Sequence, residues 1–174
     1  MANVKWSLRY LNLHQIVAVK NISRSYNSPL FLQKKKKPTE LSNLNSLTKL
    51  HFFKYYLESF PDVELPSTLK SLLVNHCSAI RSIPDRFIIG CSKSLQVLWI
   101  DHCPNLVCLP STLSTLESLQ TLHIQRCGSI HELPTITGSG PNYLTNLSAL
   151  KMYECGPLEC LPVRIHKATT LHTL

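Results

Sequence analysis

Much that a membrane-bound or catalytic chain needs is missing from this sequence. Apolar residues make up 44% of its 174 positions, yet no stretch approaches the roughly 20 consecutive apolar residues that cross a bilayer. The start, Met-Ala-Asn-Val-Lys-Trp-Ser-Leu-Arg-Tyr, has no apolar run behind its first charges, so it does not read as a secretory signal. These absences exclude a membrane partner. They lead to the expectation of a soluble, cytoplasmic chain whose 7 cysteines are reduced. Asn21-Ile-Ser23 and Asn146-Leu-Ser148 match glycosylation sequons, which mean nothing without secretion.

Phosphate-binding loops are missing too. Gly138-Ser-Gly140 runs into Pro141 and never completes G-x-G-x-x-G, and no G-x-x-x-x-G-K-[ST] occurs, so no nucleotide cofactor is expected. His131-Glu132 opens an H-E-x-x-H, but position 135 is Thr and the metalloprotease motif fails. Cys91, Cys108 and Cys160 lack a Cys-x-x-Cys partner. Glycine is scarce, 5 residues against 11 prolines, and the prolines recur at fixed places.

Charge is present but lopsided. The formal charge is +8; residues 1–40 hold eight Lys and Arg against the single acid Glu40, net +7, and residues 41–174 hold ten against nine, net +1. Lys34–Lys37 could serve nuclear import, although four lysines in a loop read more simply as a solvated run; no nucleic-acid partner is expected.

What is there is a repeat. Leu95, Leu98, Ile100, Cys103, Leu106, Leu109 and Pro110 spell L-x-x-L-x-I-x-x-C-x-x-L-x-x-L-P. The spacing returns at Leu69, Leu72, Val74, Cys77, Ile80, Ile83, Pro84. It returns again at Leu119, Leu122, Ile124, Cys127, Ile130, Leu133, Pro134, and at Leu147, Leu150, Met152, Cys155, Leu158, Leu161, Pro162. Periods of this length and content mark a leucine-rich repeat. Each Pro opens a return segment with apolar residues every three positions, as in Leu113, Leu116 and Leu119 after Pro110. That spacing predicts a short helical or 3₁₀ turn with Ser111 or Thr112 near its N-cap. The repeat from Leu47 is one residue short, and the connections after Pro84 and Pro134 carry extra residues.

Three regions follow. Residues 1–22 make a degenerate first repeat through Leu8, Leu11, Leu13, Ile16, Val19 and Ile22. Residues 23–37 are a basic insertion or loop. Residues 38–174 are the repeat array, truncated in its last repeat because Leu174 leaves a coil unfinished without a cap. In L-x-x-L-x-L the final pair alternates with x, the period of a strand with one buried face. The fold class expected is an α/β solenoid: a leucine-rich-repeat arc with a parallel sheet on the concave face and short helical, 3₁₀ or irregular returns on the convex face.

The x positions then become the informative ones. The concave face should present His51 and Phe53; Leu73, Asn75 and His76; Val97, Trp99, Asp101 and His102; His123, Gln125 and Arg126; and Lys151 and Tyr153. Aromatics, His and mixed charge are what protein-binding surfaces favour. The cysteines tempt a zinc reading, but register opposes it. Cys77, Cys103, Cys127 and Cys155 occupy one position in successive coils. Strands ~4.8 Å apart would put the end members ~14 Å apart, whereas tetrahedral zinc needs all four sulfurs around one ion at ~2.3 Å. They read as small apolar side chains turned inward. His76-Cys77 and His102-Cys103 are neighbours that an extended chain would point to opposite faces, so neither His serves its Cys as a base. No catalytic, metal or cofactor site is expected.

The proline-bounded pattern with Cys in place of Asn, and phrases such as Leu98-Trp-Ile-Asp-His-Cys-Pro-Asn-Leu106, resemble the C-terminal repeats of plant nucleotide-binding leucine-rich-repeat disease-resistance proteins. The resemblance is strong over 38–174 and weak over 1–37. It implies a non-catalytic module that senses pathogen proteins or restrains a nucleotide-binding switch. The partners it implies are a pathogen effector, a guarded host protein or the nucleotide-binding domain of a related receptor. The sequence contains no such domain, so ATP or ADP binding does not carry over, and the chain reads as a fragment, a truncated product or a short paralogue. The alternative is the substrate-recognition repeats of a ubiquitin-ligase adaptor, which would need an F-box-like segment that residues 1–40 do not show.

Overall fold

The structure, a computed structural model, describes residues 44–56, 58–60, 63–130, 134 and 146–156, and the backbone of 10–14. The expected insertion at 23–37 with its lysine run, the Gly138–Pro141 loop, Cys160 and the last repeat from Leu171 onward lie outside the described residues.

Each described repeat contributes one five-residue strand. They are β1 (Tyr10–His14), β2 (Lys49–Phe53), β3 (Ser71–Asn75), β4 (Val97–Asp101), β5 (Thr121–Gln125) and β6 (Ala149–Tyr153). Among the described residues they form one parallel sheet in chain order. Register is constant: Leu50, Leu72, Leu98, Leu122 and Leu150 stand opposite one another, as do Phe52, Val74, Ile100, Ile124 and Met152. In β1 the backbone places Leu11 beside Leu50 and Leu13 beside Phe52. A one-residue slip would turn every one of these side chains to the other face, so the alternation fixes the pairing.

The reason for the strand is burial of that pair. Leu50, Phe52, Leu72, Val74, Leu98, Ile100 and Ile124 are fully buried, with Leu122 and Leu150 almost so. The residues that open the repeats, Leu47, Leu69, Leu95, Leu119 and Leu147, lie beneath them, also at 0% exposure. No charged or polar residue is buried among the described residues. The entry to each strand repeats as well. Two successive amides, Gln96 and Val97, donate to the Lys70 carbonyl, and the same pairing recurs at Lys70 and Ser71, Gln120 and Thr121, and Ser148 and Ala149.

The exit from each strand differs from the extended chain that the sequence suggests. Lys54, His76, His102, Arg126 and Glu154 all have positive φ, between 49° and 57°. None is Gly or Asn, and such a conformation costs on the order of 1–2 kcal/mol per residue. Two arrangements offset that cost. The amides of Lys54, His76, His102 and Arg126 each donate to the last carbonyl of the next strand at 2.9–3.0 Å, so the ladder runs one bond further. The turn then drops the following residue into the core. Cys77, Cys103 and Cys127 are fully buried and Cys155 partly so. Their thiols donate to carbonyls two residues back: Asn75 at 3.4 Å, Asp101 at 3.5 Å, Gln125 at 3.2 Å and Tyr153 at 3.4 Å. Cys77, Cys103 and Cys155 also point to the preceding strand, at the carbonyls of Phe52, Val74 and Ile124. A thiol therefore does what a polar amide would do at this corner, at a smaller desolvation cost. In the short repeat Tyr55 takes the place of Cys.

The returns are less uniform. After Pro84 the extra residues form a five-residue α-helix, α1 (Asp85–Ile89), which buries Phe87 and Ile88. After Pro110 a 3₁₀ helix runs Ser111–Thr115 and buries Leu113. Pro110 is the N-cap of that helix, so Ser111 and Thr112 lie beside the cap as expected, but no side chain of its own repeat makes the capping hydrogen bond. Asp85, one repeat earlier, supplies the cap. Its carboxylate accepts the Thr112 amide at 3.0 Å and the Ser111 and Thr112 hydroxyls at 2.8 and 3.2 Å. The Thr112 amide, ahead of these hydroxyls, holds the Asp85 carboxyl below its usual range. Beneath α1 an aromatic cluster fills the space under the short repeat: Phe60 stacks on Phe87 at 4.7 Å and on Tyr55 at 5.6 Å, with Phe52 edge-on at 4.9 Å. Gly90 closes α1 against the Leu65 carbonyl so tightly that a Cβ there would overlap it.

Candidate binding surface

The side chains that alternate with the core pair stand on the open face of the sheet. His51, Phe53, Leu73, Asn75, His76, Val97, Asp101, His123, Gln125 and Lys151 are half-buried there, and Trp99, His102, Arg126 and Tyr153 are exposed. Register aligns them in columns. His51, Leu73, Trp99, His123 and Lys151 form the central one; Phe53, Asn75, Asp101, Gln125 and Tyr153 form its neighbour. The left-handed corner residues Lys54, His76, His102, Arg126 and Glu154 make a third along the edge.

Two chains of ring contacts run across these columns. In one, Trp99 stacks on His123 with centroids 4.5 Å apart and planes 16° from parallel, and Tyr153 meets His123 edge-on at 5.8 Å. In the other, His51 meets Phe53 at 5.8 Å, Phe53 meets His76 at 5.3 Å, and His76 meets His102 at 4.6 Å. Lys54 Nζ lies 5.4 Å from the Phe53 ring centre. Trp99 remains 38% exposed and Tyr153 47%. These are large rigid rings held in place by neighbours, so a partner that covers them orders few new side-chain torsions. The Asn75 Oδ1 and His123 Nε2 atoms are shielded from solvent and have no hydrogen-bond partner among the described residues.

The electrostatics are local. Arg126 grips Asp101 with both carboxylate oxygens, Nε to Oδ1 at 3.0 Å and Nη2 to Oδ2 at 3.2 Å. The repeat pattern places both residues on the face without pairing them, yet it holds the signal: Arg126 sits one position beyond the partner of Asp101 in the neighbouring strand. Burial pushes the His123 imidazole below its ordinary range; Gln125 and Asp101 pull the other way and Lys151 adds to the lowering.

The thiols of Cys77, Cys103 and Cys127 are fully buried in the core, and their shifts run in opposite directions: the hydrogen bond with Cys103 lowers Cys77 and Cys127. Cys103 is held well above the usual thiol range by its hydrogen-bonding neighbours Cys127 and Cys77 and by burial. Burial alone pushes Cys91 up to about 12. Because His76 and His102 leave the strand in a left-handed turn, they lie on the open face while Cys77 and Cys103 enter the core; the separation expected from an extended chain holds for a different geometric reason. Among the described residues no group of three or more His, Cys, Asp or Glu could hold a metal ion. No helix among them is long and apolar enough to cross a membrane.

Among the described residues, one short strand per turn, a single parallel sheet in unbroken order and an apolar interior define a leucine-rich-repeat solenoid. Comparison with known proteins places it further. The chain is 32% identical over 136 residues to Protein SUPPRESSOR OF npr1-1, CONSTITUTIVE 1 of Arabidopsis thaliana, covering 77% of this chain and 9% of that protein. It is 33% identical over 78 residues to Disease resistance protein RPP5 of the same plant, covering 44% of the chain and 5% of the relative. To Disease resistance protein RML1A, also of that plant, it is 26% identical over 113 residues, covering 65% and 10%. The chain is thus homologous to plant disease-resistance proteins, and it spans a tenth or less of the length of these relatives. No protein-family model matches it. Among solved structures, the leucine-rich repeat domain of the type III effector XopL is 18% identical with a TM-score of 0.45, covering 79% of this chain and 62% of that one.

Proposed function

We propose that the chain is a non-catalytic protein-recognition module of plant defence and that the open face of its sheet is the binding surface. The observation that carries this reading is Trp99. It stands 38% exposed at the centre of the sheet, stacked on His123 and flanked in register by Leu73. An exposed, pre-ordered Trp within a half-buried apolar and polar surround is the usual make-up of an interface hot spot. His51, Phe53, Asn75, His76, Val97, Asp101, His102, Gln125, Arg126, Lys151 and Tyr153 frame it. The homology to disease-resistance proteins supports a partner drawn from three kinds of protein: a pathogen effector, a guarded host protein or the nucleotide-binding domain of a related receptor. In this reading the repeats sense or autoregulate and bind no cofactor, nucleic acid or membrane. The buried, unpaired thiols Cys77, Cys103 and Cys127 suit a reducing compartment, which supports the cytoplasm.

The test is a selection of displayed protein fragments on the wild-type chain, repeated on Trp99→Ala. The expected result is a set of binders whose affinity falls at least ~100-fold on the variant, in the range of a hot-spot loss, while the variant's thermal midpoint is unchanged. Binders that hold both proteins equally, or none at all, would overturn the assignment of this face.

A further inference from the structure

The charge on the sheet face is not distributed as its composition suggests. On β2 and β3 the face positions are Lys49, His51, Phe53, Lys54, Ser71, Leu73, Asn75 and His76, which include no carboxylate. Tyr10, Asn12 and His14 of β1, in register with Lys49, His51 and Phe53, add none. The carboxylates among the face positions lie further along. Asp101 is held by Nε and Nη2 of Arg126, and Glu154 stands at the last described corner. Lys49 and Lys54 have no ion pair among the described residues, and Lys54 is held near the Phe53 ring. The ring chain His51, Phe53, His76 and His102 connects this acid-free half to the strand that carries Trp99. β2 and β4 are two strand spacings apart, about 10 Å, a distance that three or four extended residues cover.

We propose that the partner docks through an acidic segment, with carboxylates over Lys49 and Lys54 and an aromatic or branched apolar side chain against Trp99 and Leu73. This rests on the reading of the sheet as the binding face and names the chemistry of what binds there. Charge complementarity of this kind acts on encounter rate and on the choice of partner. It favours protein carboxylates over nucleic-acid phosphates. Among the described residues this half of the face offers two lysines without an ion pair and no arginine, whereas phosphate backbones are gripped by clustered cations along a groove. The apolar anchor, moreover, is a ring already stacked on its own neighbour.

The experiment uses a random peptide library displayed against the whole chain, counter-selected on Trp99→Ala so that only face-dependent sequences survive. Three proteins are then compared: wild type, Lys49→Glu with Lys54→Glu, and Lys93→Glu as a return-side control. Glu is tolerated at the Lys54 corner, because Glu154 holds the equivalent left-handed position. Survivors should be enriched in Asp and Glu beside one aromatic or branched residue. Their affinity should fall roughly tenfold or more on the double variant, and several-fold between 50 and 500 mM NaCl, with no change on Lys93→Glu. Trp99-dependent peptides without acidic enrichment, or with unchanged affinity on the double variant, would overturn this proposal and leave the binding face standing. A fluorescein-labelled single-stranded oligonucleotide that outcompetes them would overturn it in favour of nucleic acid. A library with no Trp99-dependent survivors would defeat the face assignment itself.

Discussion

The two sides of this solenoid obey different rules. On the sheet side five strands with described side chains are identical in length and register, and even the amide pairing at their entries repeats from coil to coil. On the return side one coil carries an α-helix, the next a 3₁₀ helix, and the space beneath the first is filled by four aromatic rings. The difference follows from what each side must satisfy. A strand between two strands has its backbone hydrogen bonds dictated by neighbours, so every copy must match. A return has only to cross back over the core with its own polar groups satisfied, and several local structures do that. Uniformity therefore belongs to the sheet, and its side chains on the open face are free to vary without disturbing the ladder.

The largest test of that contrast is in the core. Phe87→Ala on α1 removes a ring stacked on Phe60 and packed against Phe52, and should cost about 3–5 kcal/mol. Leu98→Ala in the strand opposite should cost about 2–5 kcal/mol. Urea unfolding of both variants measures this. Comparable losses mean that one continuous core joins the sides; a Phe87 variant within 1 kcal/mol of wild type would mean that the return merely covers a self-sufficient sheet.

A smaller effect separates the returns themselves. Asp85 is the only described carboxylate that caps the helix of the following coil. Asp85→Ala should lower stability by about 1 kcal/mol, the usual worth of a capping side chain. The pH dependence has a definite sign. The folded carboxyl titrates below its unfolded value near 3.9, so the contribution is fully present above that value and is lost as pH falls through the lower folded one. Wild type and variant should therefore converge in thermal midpoint as pH falls below about 4. A difference that does not shrink over that descent would show that the carboxylate is not what caps Thr112.

The sequence was unequal to the two sides for the same physical reason. Leu69, Leu72, Val74 and Cys77 recur because their places are all buried, so the strands, their register and the facing columns could be read by spacing alone. The returns share only an apolar residue every third position, which suits an α-helix, a 3₁₀ helix or neither; nothing in Asp85-Arg-Phe-Ile-Ile89 announces an α-helix over its neighbours. The Asp85 cap crosses between coils, so no local capping rule finds it, although Asp85 and Ser111 are each the first residue after a repeat proline. The left-handed corners escaped for a different reason. Lys54, Arg126 and Glu154 are not residues that favour positive φ, and His76 and His102, which tolerate it better, do not announce it either. They adopt it because the amide still reaches the next strand while the following side chain must enter the core.

The smallest expected effect is on the open face, and it asks whether the stack at its centre is as tight as the core beneath. Burial, to which the stacked Trp99 ring contributes, and secondarily Lys151 lower the His123 titration, so the folded chain binds its proton less readily than the unfolded chain does. Stability from this residue is then fully present above the unfolded value near 6.5 and declines as pH falls through the lower folded one. A proton NMR titration of the His123 ring should give a midpoint below 6.5. Trp99→Ala, by opening the ring to water, should move that midpoint upward, with little change in global stability because Trp99 is an exposed side chain. A midpoint at or above 6.5 in the wild type would mean that Trp99 swings clear of His123 in solution. The face would then lack its pre-ordered anchor, and a partner would have to immobilise the ring itself on binding.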